Sequence, residues 1–247
     1  MSLSLRAANL LFKNAYWLYE PLYRSFKAWQ DRDVMGLMRR FISPGDVVLD
    51  IGANVGVYAR YLSSLVGDKG HVHCFEPDAD NFRHLADAVR GLSNVTPNHA
   101  AAGAADGTID LYLSPQLGVD HRTYAHSESD VKVTVPVKSI DGYISGRFPI
   151  SAVKMDVQGF EMSVLDGMEK TIAANPGIVF FMELWPYGLK AAGHSAEVMM
   201  RRLQSLGFSV SMISTRGLEP LTTEAAAALP IGPDKFWNVL VKRPADR

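Results

Sequence analysis

The sequence predicts an α/β fold, a mostly parallel open sheet with helices on both faces, preceded by a helical extension. Three observations predict it. An apolar run, Val47-Val48-Leu49, closes on Asp50; Gly52 and Gly56 follow at a four-residue spacing, and residues 57–66 then suit a helix. About twenty residues after that turn a second apolar run, His71-Val72-His73-Cys74-Phe75, ends in Glu76. Two further runs, 150–155 and 178–182, each end in an acid, Asp156 and Glu183. Strands buried on both faces read as continuous apolar runs, and helices between them make the sheet parallel.

A chain of 247 residues, 47% hydrophobic and 21% charged, suits one large domain, residues 44–247, behind a helical cap, residues 1–43. The formal net charge of −1 offers no bulk attraction for nucleic acid. Cys74 is the only cysteine, so no intrachain disulfide can form; within an apolar strand it reads as a buried small hydrophobe. No CxxC or zinc spacing occurs, and no metal site is predicted.

Residues 1–43 carry Leu10, Phe12, Tyr16, Trp17, Tyr19, Leu22, Tyr23, Phe26 and Trp29, interleaved with Arg6, Lys13, Arg24 and Lys27. Helical spacing holds on both sides of Pro21, which is read as the start of a new helix; a third helix is expected over 31–41. No uncharged run here is long enough to span a bilayer, and no signal peptide is recognisable, so a cytoplasmic location is expected. Two readings stand. The segment is a cap covering the site or a homodimer surface, or it is an interfacial helix that touches a membrane or a lipid-linked substrate.

After Glu76 a helix is expected over 80–90, ended by Gly91. A third strand lies within 94–102, where Asn98 or His99 can reach a base or ribose and Ala100 and Ala101 leave room for a flat ring. Residues 108–113 and 131–137 alternate as an exposed hairpin or sheet edge would. The long polar loop between them, 114–130, holds His121, Arg122, Tyr124 and His126 and is a candidate acceptor wall. Gly159 turns the fourth core strand into a helix whose first turn holds Glu161, and 194–206 is amphipathic. Two last strands, 208–213 and 236–241, are read as an antiparallel pair, although the connection is long for a hairpin.

The glycine turn narrows the ligand. A dinucleotide fold wants G-x-G-x-x-G so that a diphosphate can sit on the helix N-terminus. Here the middle glycine is missing, and Asp50 would repel a diphosphate. An acid there suits a ligand with an ammonium group and no phosphate, and S-adenosylmethionine is one. Glu76 is then placed to hold a ribose hydroxyl pair. The alternative is a nucleotide-binding frame with another ligand or none. Unpaired charges are costly to bury, so Asp50, Glu76, Asp156 and Glu183 are expected to meet water or ligand.

Val48-Leu49-Asp50-Ile51-Gly52-Ala53-Asn54-Val55-Gly56, Phe75-Glu76-Pro77, Lys154-Met155-Asp156-Val157-Gln158-Gly159-Phe160-Glu161 and Glu183-Leu184-Trp185-Pro186 resemble the FkbM-type methyltransferase family over roughly residues 32–242. The K-x-D-x-x-G-x-E block is the most specific piece. The resemblance implies a Rossmann-like class I methyltransferase with a seven-stranded sheet, using S-adenosylmethionine and releasing S-adenosylhomocysteine. It places the cofactor on Asp50, Gly52, Asn54, Gly56 and Glu76, and a second motif on Asp156, Gly159 and Glu161. Members usually carry Glu where this chain has Gln158, and a histidine where it has the Leu-Trp-Pro of the Glu183 block.

The resemblance further implies O-methylation of a hydroxyl on a sugar-containing or other small-molecule or glycan acceptor. Asp156, at the carboxyl end of a central strand, is the first candidate base; Glu161, Glu183 and His121 follow. Asn98, Ala100 and Asp156 complete the expected cofactor contacts. The rival is a non-catalytic S-adenosylmethionine-binding or membrane-associated protein on the same scaffold. The Asn/Asp-Pro-Pro-aromatic run of base-nitrogen methyltransferases is not present after the fourth strand.

Overall fold

A computed structural model describes residues 12, 15–113 and 131–244. The loop 114–130, with His121, lies outside the described residues, as do residues 1–11. Strands β1 (Val47–Ile51), β2 (His71–Phe75), β3 (Val95–Asn98), β7 (Ala152–Met155), β8 (Val179–Leu184), β9 (Ser209–Ser214), β10 (Gly217–Pro220) and β11 (Trp237–Lys242) form one sheet in the order β10-β9-β11-β8-β7-β1-β2-β3. The β3-β2-β1-β7-β8 part is parallel, and β11 runs antiparallel to both β8 and β9. This is the class I methyltransferase sheet expected above, with β10 added as an eighth strand. Gly217–Pro220 folds back on β9, and with the helix Thr223–Ala227 it fills the long connection between β9 and β11.

Strand parity sets what each face of the sheet meets. Leu49, Ile51, Val153, Met155, Phe180 and Met182 enter one apolar cluster with Val164, Leu165 and Met199 from the helices Glu161–Asp166 and Ala196–Ser205. Val48, Ala152, Val179 and Phe181 point to the other face. There the helix Arg32–Phe41 buries Val34, Met35, Leu37 and Met38, beside Ala59 and Leu62 of the helix Val57–Val66. Each fully buried side chain of this kind contributes roughly 1.5–3 kcal/mol. By the same parity Asp50, Lys154 and Glu183 fall on the second face, the one covered by the N-terminal helices.

The helix Tyr16–Gln30 runs through Pro21, so the break expected there does not occur. The proline removes one backbone donor, but tertiary packing grips both sides of it. Before it Tyr16 stacks on His84, and beyond it Lys27 pairs with Asp31, which accepts from the Tyr58 hydroxyl. A second, three-stranded sheet, β4-β6-β5, sits beside the main one: β4 (Ala101–Ala102), β5 (Gly107–Leu113) and β6 (Val131–Lys138). Strands β5 and β6 pair antiparallel, as their alternation suggests.

Candidate functional site

A cavity of about 290 Å³ opens at the carboxyl ends of β1, β2 and β7, the place where open α/β sheets bind ligands. Its floor is the turn after β1. The N–H groups of Gly52 and Ala53 donate to the Phe75 carbonyl, each at 3.0 Å. Gly52 sits at φ 78°, and a Cβ on it would stand 1.9 Å from the carbonyl oxygen of Asp156. Glycine is therefore required both by conformation and by the neighbouring strand end.

Glu76 faces this turn from the tip of β2. Its carboxylate accepts from the N–H of Asn54 at 2.8 Å and from the N–H of Asp78 at 3.0 Å. It is 5% exposed, and burial pushes its pKa from the ordinary 4.5 to about 7, against those two donors. Asp78 goes on to cap the helix Ala79–Ala88 by accepting from the Asn81 N–H. The loop after β2 is thus bound to both the turn and the helix.

A buried lysine and three acids adjoin the same turn. Lys154, a lysine inside an apolar strand, extends its Nζ to the Gly52 carbonyl at 2.8 Å. The same ammonium lies 3.6 Å from Asp50, 3.8 Å from Asp156 and 5.1 Å from the centre of the Tyr58 ring. Asp50 is fully buried, and neither of its oxygens accepts a hydrogen bond among the described residues. Desolvation raises its pKa, opposed by Lys154. Asp156 accepts from the side-chain amide of Gln158 at 2.9 Å, and that amide also reaches Glu183 at 3.5 Å. Burial, then repulsion from Asp156, holds the Glu183 carboxyl well above its ordinary value.

The N-terminal helix closes the site. Tyr23 and Lys27 line the cavity. Lys27 pairs with Asp31 at 2.8 Å, and Asp31 accepts from the Tyr58 hydroxyl at 2.9 Å, which ties the first two helices to the helix after β1. A small polar cavity of about 20 Å³ lies among Lys27, Asp31, Tyr58, Lys154, Asp156 and Glu183. Ile109, Leu111, Phe160, Trp185 and Phe236 supply apolar wall.

Of the residues singled out in the sequence, Gly52, Asn54, Glu76, Ala101, Asp156 and Glu183 line the cavity. Asp50 stands behind Lys154 rather than at the surface, so it departs from the expectation that every strand-tip acid meets water or ligand. Gly56 precedes the helix Val57–Val66 and packs toward Leu85. Asn98 turns its amide to the Cys74 carbonyl and the Tyr143 hydroxyl, and Ala100 is fully buried. The wall there is made by Ala101 and Ala102, because the chain turns after β3, with the Ala100 N–H donating to Asn98 O at 3.0 Å. His99 bonds the Pro77 carbonyl. Glu161 accepts from the Gly159 N–H at 3.1 Å beneath the turn; burial raises its pKa to about 7. The sequence marks Lys154 only as the first residue of the K-x-D-x-x-G-x-E block and Tyr23 and Lys27 only as members of the capping segment, without a role in the site, and it does not single out Tyr58. A charged residue in an otherwise apolar buried strand was the signal for Lys154; for Tyr23 and Lys27 no local pattern existed.

The methyltransferase FkbM domain matches residues 50–210. The hexuronic acid methyltransferase AglP of Haloferax volcanii is 28% identical over 156 residues, 62% of this chain and 62% of that protein, so the chain spans under two thirds of that relative's length. A candidate rRNA-methylase structure from Clostridium thermocellum superposes with a TM-score of 0.52 at 15% identity, covering 87% of this chain and 95% of that one. At that identity the likeness speaks to fold alone. On the family match, which includes the turn after β1 and the Asp156–Glu161 block, the chain belongs to the FkbM methyltransferase family.

Proposed function

We propose that this chain transfers a methyl group from S-adenosylmethionine to a hydroxyl of a sugar-containing or other small-molecule or glycan acceptor. The observation that carries the reading is one cavity lined both by the Gly52–Val55 turn with the Glu76 carboxylate and by Asp156, Gln158 and Glu183. The residues fit the cofactor. A carboxylate can accept about four hydrogen bonds, and Glu76 uses two on backbone donors, leaving capacity for two ribose hydroxyls. Ala101 and Ala102 offer a small-residue wall for a flat base. When bound, S-adenosylmethionine supplies an electrophilic methyl group on a sulfonium.

The chain's part is positioning and proton transfer. Holding the acceptor oxygen in line supplies much of the rate. Asp156, half-buried at the tip of β7, is placed to take the hydroxyl proton, with Glu183 as its neighbour in that role. Glu161 acts from beneath by holding the Gly159 turn. Tyr23 and Phe236 line the cavity with aromatic surface suited to a sugar ring. The relative's action on a hexuronic acid supports an acceptor of this class.

Calorimetric titration with S-adenosylhomocysteine, beside NAD, tests the cofactor. Micromolar binding of the first and none of the second is expected; binding of neither overturns the reading. Methyl transfer to a panel of hydroxylated glycosides then separates an enzyme from a binding protein.

A second reading concerns the outer face of the helix Tyr16–Gln30, where Trp17, Leu18, Leu22, Phe26 and Trp29 are exposed. Among the described residues no helix is long and apolar enough to cross a membrane. This stripe suits contact with a lipid surface or a lipid-linked acceptor instead. Liposome co-sedimentation with Trp17→Ser/Phe26→Ser as control tests it; unchanged sedimentation sinks it, and loss of a dimer in the variant assigns the face to a second copy.

A further inference from the structure

The turn after β7 contains a backbone outlier that the mechanism above does not use. Gln158 holds φ 53°, a left-handed conformation that a side chain of this kind seldom adopts. Such strain costs of the order of 1 kcal/mol or more and persists where the surroundings hold it in place. Its result here is specific. The side-chain amide enters the cavity and offers its two N–H groups to Asp156 Oδ1 at 2.9 Å and to Glu183 Oε1 at 3.5 Å.

We propose that Gln158 is a positioning residue for methyl transfer, whose amide bridges the Asp156 and Glu183 carboxylates, holding the base in place and offsetting the repulsion between the two acids. The inference rests on the methyl-transfer reading for its purpose, but its geometry is independent of it. Two neighbouring carboxylates repel, and such pairs ordinarily raise one proton affinity. A neutral double donor between them offsets that repulsion. A glutamate at this position would instead add a third acid to the pair. The other charged groups facing the bridge are Lys27 from the N-terminal helix, Lys154 from β7, Asp50 from β1 and Glu161 from the following helix. The two lysines are common to any variant at 158, so in a variant that adds no charge a change in titration reports the amide.

Two substitutions separate bridge from scaffold. Gln158→Asn tolerates the left-handed backbone and keeps an amide, but it is one methylene too short to span both acids. Gln158→Glu keeps the length and removes the donor. The readout is the pH titration of the Glu183 and Asp156 side-chain carbons by carbon-13 NMR, with Glu183→Gln used for assignment. Both variants should raise the apparent proton affinity of the acid pair by about one pH unit, the shift equivalent to one hydrogen bond to a charged group. In Gln158→Asn, which changes no charge, S-adenosylhomocysteine affinity should stay within about twofold, since the contacts of Glu76 are left alone; the acid limb of the turnover profile should move by the same unit. Unmoved carboxyl titrations in Gln158→Asn, with wild-type cofactor affinity, overturn the proposal. If the wild type itself binds no S-adenosylhomocysteine, the methyl-transfer reading fails, while the titration still decides whether the amide bridges the acids.

Discussion

Cofactor binding should release a proton from Glu76, and the amount follows from its burial. In the empty site this carboxyl titrates at about 7 rather than at 4.5. Ribose hydroxyls donating to it favour the ionised form and pull that value down. At pH 6 about nine-tenths of the Glu76 side chains are protonated before binding, so close to one proton should leave per cofactor bound. Affinity should therefore rise by about tenfold per pH unit below 7 and level off above it. Because the folded value lies above the unfolded one, the sign for stability is the reverse of the usual acid. Glu76 adds stability below about pH 4.5, and the empty protein loses roughly 3 kcal/mol of it as pH rises through 7. Calorimetric titration with S-adenosylhomocysteine at pH 6, in buffers of different ionisation enthalpy, measures the proton count. Glu76→Gln removes the titrating group and should abolish the buffer dependence, along with most of the affinity. A heat of binding that is the same in every buffer, with an affinity equal at pH 6 and pH 8, would refute the assignment of Glu76 to the ribose.

Lys154→Met leaves Asp50 buried without its cation and should cost about 3–5 kcal/mol in urea unfolding; Asp50→Asn in the same chain should recover most of the loss, and a single-variant cost under about 1 kcal/mol would contradict the pairing. Gly52→Ala forces a methyl onto the Asp156 carbonyl, so a loss of more than about 3 kcal/mol and no measurable cofactor binding are expected, read by thermal unfolding and calorimetry. Tyr58→Phe removes the hydrogen bond to Asp31 at a cost of about 1–2 kcal/mol. Limited proteolysis should then cut faster within residues 16–30, and an unchanged cleavage rate would mean that the N-terminal helix is held by its aromatic contacts alone.

The parts readable in the sequence were those governed by local rules. The apolar run into Asp50, the glycine turn and Glu76 at the next strand tip sit in the structure where their pattern puts them, because strand period and turn geometry are short-range constraints. Errors arose where tertiary contacts took over. Pro21 lies inside one helix that is held before it by Tyr16 on His84 and beyond it by Lys27 and Asp31 against Tyr58. Asn98 and Ala100 lie off the cavity, while Ala101, expected beside Ala100, lines it with Ala102, because the chain turns after β3. Tyr23 and Lys27 come to the site through the docking of a whole helix, which leaves no signature near either residue.

Strand parity explains why this site holds so many acids beside a buried lysine. Asp50, Lys154 and Phe181 are register partners across β1, β7 and β8, and Glu183 lies two residues beyond Phe181 on the same face. An unpaired Asp50 would be expensive on that covered face, and Lys154 from the next strand offsets it. The lysine's remaining donors then reach the Gly52 carbonyl and the edge of Asp156. Asp50 therefore acts on the cavity at second hand, by fixing the ammonium that fixes the turn. Loss of Asp50 should disturb the cofactor through that turn, and Glu76, which lines the cavity itself, should show the larger and directly pH-linked effect.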